Sequence, residues 1–424
     1  MSFPSGEIES KASKVRRMPI LAKRGRLEGA PDWYGTPLDQ LDFEWSEEEQ
    51  LELRGYCRQI HTNIAESGDK MTPLERWDAS LEGRDRDRLF LEAYYFNPYA
   101  VRTLDASGKT LKPVDVCRDP KLLVKAHMAT VARYGLDLPV LYPISYTAEF
   151  WGARTEMTDY GNPTLVGDYP IRSLADLEGL EVPDPHNAGL HPGYLWACRE
   201  IKRLFAEHGV DKVMPLSVCI GVDPLGTALM FMMGWTEFMR AVRKDPEICQ
   251  RSMNLATEWI IRMGQAAIDA GADCLVMCSY AGVTPIKGNE WMLGDYVRIG
   301  KALGPQLPCL YALTYEKALD WFPAMCEQGA VGSGSFRGWF CADMDYKKAI
   351  DYSRENDVYC CCALPDKVLF NDPVSAIENE TKKRCQYGKS HDKFSMGIAA
   401  VDYTTPPENF AAAVAAAKTH GRFS

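Results

Sequence analysis

Residues 245–279 read DPEICQRSMNLATEWIIRMGQAAIDAGADCLVMCS, and the change of pattern inside this stretch decides the fold. Asp245 and Pro246 open a helix, since proline at the first helical position gives up only an N–H that has no partner there. After Ala270-Gly271-Ala272 comes an apolar run of strand length, Asp273 to Ser279. Short apolar runs between longer amphipathic stretches are the pattern of parallel strands covered by helices.

The same unit recurs along the chain. Runs at Arg88 to Phe96, Leu138 to Pro143, Met214 to Gly221, Asp273 to Ser279, Pro308 to Thr314, Ala330 to Phe336, Asp357 to Ala363 and Phe394 to Ala400 alternate with helical stretches. The last helix opens at Thr405, Pro406 and Glu408 and runs to about His420. Eight units predict an α/β protein of the (β/α)8 TIM-barrel type rather than an open sheet. Residues 1–70 read as an N-terminal extension: an irregular arm to about residue 45, then a helix capped by Ser46 and Glu49. The barrel unit, residues 71–424, begins with a second capping box at Thr72 and Glu75, and its helix presents Leu74, Trp77 and Leu81 on one face. The proline-rich interval around 147–212 reads as an inserted loop or lid over the catalytic face.

With 46% hydrophobic residues in 424, the chain can bury a large core. A net charge of -10 with no basic block argues against nucleic acid as a partner. No apolar stretch is long enough to span a membrane: the most apolar, Met214 to Trp235, is broken by Asp223, Pro224 and Gly226. Fourteen cysteines without an export signal read as reduced thiols, so a cytoplasmic location is expected.

Met71 to Arg88, MTPLERWDASLEGRDRDR, resembles the opening helix and turn of the uroporphyrinogen decarboxylase (URO-D) superfamily. Asn162-Pro163, Ile171, Leu174, Leu177 and Val182 to Pro185 are similar to a later passage of the same superfamily, and Gly226, Gly234, Asp245 to Glu247, Ala270 to Asp273 and Thr405 to Asn409 follow in order. The resemblance implies a barrel with its active site at the C-terminal ends of the strands. It also implies one of two chemistries, decarboxylation of porphyrinogens or corrinoid-dependent methyl transfer, between which fold alone does not choose.

True porphyrinogen decarboxylases of the superfamily carry an arginine-rich phrase near the first strand, matched to a polycarboxylate substrate. Here that strand reads RLFLEAYYFNPY, with Glu92, Tyr94 and Tyr95 in place of cations. The resemblance therefore points to the methyltransferase branch. Many of its members hold zinc through a His-x-Cys phrase after the fifth strand and a cysteine after the eighth, to activate the departing heteroatom. This chain has Tyr311, Leu313 and Ala399 near those places. A rebuilt zinc site would draw on Cys278, Glu316 and Cys360 or Cys362; strand alternation sends Cys360 and Cys362 to one side and Cys361 to the other. Each of these cysteines alone reads more readily as a small buried hydrophobe than as a metal ligand. Without metal, a tyrosine or buried carboxylate must serve as general acid.

The candidate catalytic residues are Glu92, Tyr94, Tyr146, Asp223, Tyr280, Tyr311 and Arg337, with Asp402 at a further strand end. Their aromatic character suits a flat methoxylated ring; the alternative for Arg337 is an ion pair with Asp343 or Asp345. His186 and His191 fall in the inserted loop and read as solvent-exposed. The expected function is transfer of a methyl group from a small methylated compound to the cobalt of a corrinoid carried by a partner protein, since no cobalamin-carrying domain is visible. A homodimer is an assembly the reading allows. The alternatives are a decarboxylase or lyase on a small carboxylated ring, served by Arg337 and Arg154, and a non-catalytic subunit.

Overall fold

The computed structural model describes residues 26–105, 110–141, 147–159, 163–279, 286–304, 309–312, 316–332 and 334–423. Eleven strands are found among them: β1 (Arg26–Glu28), β2 (Leu91–Tyr95), β3 (Val140–Leu141), β4 (Arg154–Glu156), β5 (Thr164–Leu165), β6 (Ser217–Val222), β7 (Cys274–Ser279), β8 (Cys309–Ala312), β9 (Gly338–Cys341), β10 (Tyr359–Leu364) and β11 (Phe394–Val401).

Eight of these form one parallel sheet in the order β2-β11-β10-β9-β8-β7-β6-β3. Its two end strands also meet. The Leu91 N–H donates to Asp137 Oδ2 at 3.1 Å, just ahead of β3, and Arg88 beside β2 grips the same carboxylate through two bonds of 2.6 Å. The sheet therefore closes into the (β/α)8 barrel. Helices such as Pro246–Asp269, Ile286–Leu303 and Val374–Gly388 lie between successive strands, as right-handed crossovers require.

The superfamily phrase around Met71 to Arg88 has a physical meaning at the bottom of this barrel. Thr72 and Glu75 cap the helix Pro73–Glu82 reciprocally, and Gly83 ends it in the left-handed conformation. Arg76 on that helix bonds Asp87 at 2.8 Å, while Arg88 bonds Asp69 at 2.8 Å and also Asp137. Both guanidinium groups are almost fully buried, so the phrase encodes an ion network that seats the first strand.

Seven of the anticipated strand runs overlap an observed strand; the sixth does not. The described residues of Ala330 to Phe336 form a turn, with Gly332 and Gly334 at positive φ and a bridge between Val331 and Phe336. The strand is the next run, Gly338–Cys341, buried at every position. The interval 147–212 is not one loop. It contains a short helical turn at Ala148–Trp151, the antiparallel pair β4–β5 and the long helix His191–His208.

The arm docks on this insertion and on the turn that precedes the helix Pro120–Tyr134. β1 pairs in parallel with β4, Trp33 donates to the Arg118 carbonyl at 2.8 Å, and Trp45 donates to Glu200 at 2.6 Å. Gly193 makes the contact possible, because a Cβ there would stand 2.6 Å from the Trp33 ring. His186 is partly exposed as expected, but His191 is buried, wedged between Phe150 and Trp259.

Candidate active site

Side chains alternate along each strand, so one face of every barrel strand enters the interior. The interior set comprises Phe90, Tyr94, Leu138, Val140, Cys219, Cys274, Val276, Cys278, Phe340, Tyr359, Cys361 and Ala363, closed below by Trp77 of the helix Pro73–Glu82. The alternate residues Leu91, Ala93, Tyr95, Cys341, Cys360 and Cys362 pack outward against the helices.

Glu92 shares the inward face of β2 with Phe90 and Tyr94. Among the described residues it is the only Asp, Glu, Lys, Arg or His in the eight barrel strands, and it is fully buried. Tyr94 donates to its Oε2 at 2.9 Å, and Tyr359 on β10 donates to its Oε1. Burial pushes the Glu92 carboxyl up to about 7, against the opposing pull of the bonds from Tyr359, Tyr94 and Cys361. A carboxylic acid brought near neutral pH by an apolar interior suits proton transfer.

The reach from β2 to β10 crosses β11, which lies between them. It is open because Gly397 stands opposite Glu92 in the register: a Cβ at Gly397 would come within 2.8 Å of Cys361, Ala363 and Phe340. Above Glu92, toward the C-terminal ends, Tyr94 meets the Phe340 ring edge to face at 4.4 Å. The sulfurs of Cys219 on β6 and Cys278 on β7 lie 3.9 Å apart, beyond β3 from Glu92.

The other sequence candidates separate. Asp223 follows β6 but serves as an anchor: its Oδ1 accepts the Gly226 N–H and its Oδ2 the Tyr296 hydroxyl, both at 2.6 Å, and Tyr296 reaches on to Ser279 at 2.5 Å. Arg337 does not sit at a strand end. It precedes β9 and borders a surface cavity with Leu81, Gly332, Asp357 and Lys393, at the end of the barrel away from the mouth, because the strand begins one residue after it. Asp343 pairs with Lys367 and Asp345 caps the next helix, so neither holds Arg337. Arg154 is exposed and paired with Glu28 at 2.9 Å. Asp402 accepts the Tyr403 N–H in the turn after β11. Tyr146 and Tyr280 lie outside the described residues, as do the side chains of Tyr311 and Glu316.

The rebuilt zinc set does not assemble from the described side chains. Cys278 faces the interior whereas Cys362, with Cys360, faces the helices, so one ion cannot bind both. Cys219 and Cys278 offer two sulfurs, and no third His, Cys, Asp or Glu joins them among the described residues. Tyr359, Cys361 and Gly397 were missed by sequence reasoning. Tyr359 lies at the start of its strand, where a search of strand ends does not look; the alternation that puts Cys361 opposite Cys360 and Cys362 was the available signal.

The family model of uroporphyrinogen decarboxylase (URO-D) matches residues 105–420. The chain belongs to this enzyme family. It is 23% identical over 355 residues to a uroporphyrinogen decarboxylase of Dechloromonas aromatica (strain RCB), covering 79% of this chain and 93% of the relative. A uroporphyrinogen decarboxylase of Geotalea uraniireducens (strain Rf4) is 24% identical over 309 residues, covering 70% and 84%. Among solved structures, a methyltransferase from Methanosarcina mazei superposes with a TM-score of 0.68 at 21% identity, covering 82% of this chain and 99% of that one. No helix among the described residues is long and apolar enough to cross a membrane.

Proposed function

We propose that this chain is a methyltransferase that takes a methyl group from a small methylated compound, of the methoxylated aromatic type, and delivers it to the cobalt of a corrinoid carried by a separate protein. One observation carries the reading: among the described residues the barrel strands hold no lysine or arginine, and their single Asp, Glu, Lys, Arg or His is a carboxyl pushed up to about 7. A porphyrinogen brings many carboxylates and needs fixed cations. A neutral aryl ether needs an apolar, aromatic wall and one proton donor. The superposable Methanosarcina mazei protein is a methyltransferase, which supports the same branch.

When the ether C–O bond breaks, the methyl carbon leaves without the bonding pair and the oxygen keeps it, so a proton must reach that oxygen. Tyr94 lies nearer the mouth than Glu92 and is bonded to it. A protonated Glu92 donates to the Tyr94 oxygen, which frees the Tyr94 hydroxyl to turn toward the leaving group. Glu92 then acts through Tyr94, and Tyr359 holds the far carboxylate oxygen. The corrinoid is the methyl acceptor, supplying a cobalt nucleophile over the mouth; this scheme assigns no step to zinc.

The similar Dechloromonas aromatica and Geotalea uraniireducens proteins are uroporphyrinogen decarboxylases, which favours a second reading, a lyase acting on a small carboxylated ring. Arg154 and Arg337, the cations named for that reaction, point elsewhere in the fold. The two readings separate in one assay. The chain is mixed with methoxylated or carboxylated benzenes and a corrinoid protein reduced to cobalt(I), and cobalt absorbance and carbon dioxide are followed together. Cobalt methylation with release of the phenol supports the proposal; carbon dioxide without cobalt methylation moves the assignment to the lyase.

A further inference from the structure

Strands β9 and β10 bring three thiols together on the side of the barrel wall that faces the helices. Cys362 pairs with Cys341 in the register, and Cys360 is two residues earlier on the same face. Their sulfurs all lie within 4.8 Å of one another, with Cys360 and Cys362 at 3.6 Å, and all three residues are buried. An ion bound to sulfur at about 2.3 Å in tetrahedral geometry holds its sulfurs about 3.8 Å apart. The observed spacing needs only small rotamer adjustments to match.

The surroundings supply charge. Three thiolates around a divalent cation leave one net negative charge, costly in a buried place unless a cation stands near. Arg384, on the helix Val374–Gly388, is that cation. It is buried, stacks on the Tyr346 ring at 4.3 Å and lies within electrostatic reach of Cys362, whose thiol points at the Tyr346 carbonyl. Its Nε is 3.2 Å from Glu380, but Nη1 has no hydrogen-bond acceptor among the described residues. A guanidinium N–H left unpaired in the interior is unfavourable and marks a place where further negative charge is accommodated.

We infer that Cys341, Cys360 and Cys362 form a buried trithiolate site for a soft divalent cation of the zinc class, set in the outer wall of the barrel and separate from its mouth. Soft sulfur donors select such ions over magnesium or calcium. Binding releases the thiol protons to solvent, so affinity rises with pH. The ion would tie β9 to β10, and β10 carries Tyr359 and Cys361 into the interior on its other face. This assignment does not depend on the methyltransferase reading.

The full-length chain, kept reduced, is titrated with cadmium(II) while the thiolate-to-metal charge-transfer absorption is recorded, for the wild type and for C341S, C360S, C362S and C361S. The expected result is one equivalent bound with a charge-transfer band, affinity lowered at least roughly tenfold in each of the first three variants, and C361S unchanged. R384Q should weaken binding by roughly tenfold as well. A titration without a band, or a band that survives all three substitutions, overturns the site and leaves three packed thiols. Where a serine variant does not fold, X-ray absorption of the zinc-loaded wild type decides: three sulfur neighbours support the assignment, and a shell of nitrogen and oxygen alone overturns it.

Discussion

Glu92 on β2 and Tyr359 on β10 are hydrogen-bonded inside the barrel across the intervening strand β11. The bond favours the charged carboxylate, so removing it in Tyr359→Phe should move the Glu92 titration upward from about 7. Difference infrared spectroscopy of the carboxyl band against pH reads this directly. A downward or absent shift would place the control of Glu92 elsewhere.

Gly397 keeps that crossing open. In Gly397→Ala the new methyl must displace Cys361, Ala363 or Phe340, each within 2.8 Å of it, and overpacking of this kind costs about 1–3 kcal/mol. Denaturant unfolding should show the loss. Unchanged stability would mean that the interior has room the geometry denies.

Stability should depend on pH through Glu92 in a defined direction. Its pKa is raised from 4.5 to about 7 on folding, so the folded protein binds the proton more tightly, and stability is lost as pH rises from 4.5 through about 7. At about 1.4 kcal/mol per unit, the shift corresponds to roughly 3 kcal/mol. Glu92→Gln should lack this fall, and the difference between wild-type and variant unfolding free energies over that window measures it.

The ion network under β2 has the opposite dependence. Burial would raise the Asp137 carboxyl, but Arg88 and then Arg76 outweigh it and hold it well below the usual range; at Asp87, burial is likewise outweighed by the Arg76 bond and the Met71 N–H, which bring it down to about 2. Stability from these groups is present above the ordinary carboxylate pKa and is lost as pH falls from about 4 toward 2. Asp137→Ala strips Arg88 of its main partner and should cost about 3–5 kcal/mol. A thermal shift of only a degree or two would contradict this account of the network.

Much of the architecture was legible because parallel strands buried on both faces leave apolar runs, and helix starts carry Thr72–Glu75 and Asp245–Pro246 signals that act locally. The sixth strand was misplaced because Ala330, Val331 and Phe336 are apolar, while the glycines between them, which bend the run, leave no mark in a pattern of hydrophobicity. That error carried Arg337 to the wrong end of the barrel. Glu92 and Tyr94 stood out as polar groups in an apolar run. Their link to Tyr359 was not readable, because it depends on the register of three strands and on the missing side chain at Gly397, and neither leaves a local signature.

The most direct measurement compares two methyl donors in the wild type, Glu92→Gln and Tyr94→Phe, by the rate at which cobalt(I) of a corrinoid protein is methylated. An aryl methyl ether needs a proton on its leaving oxygen, whereas a methylated sulfonium leaves as a neutral sulfide and needs none. Both substitutions should slow transfer from the ether by roughly 10²–10⁴-fold and leave any transfer from the sulfonium within a few-fold. Equal slowing with both donors, or rapid transfer from the ether in both variants, would contradict this expectation.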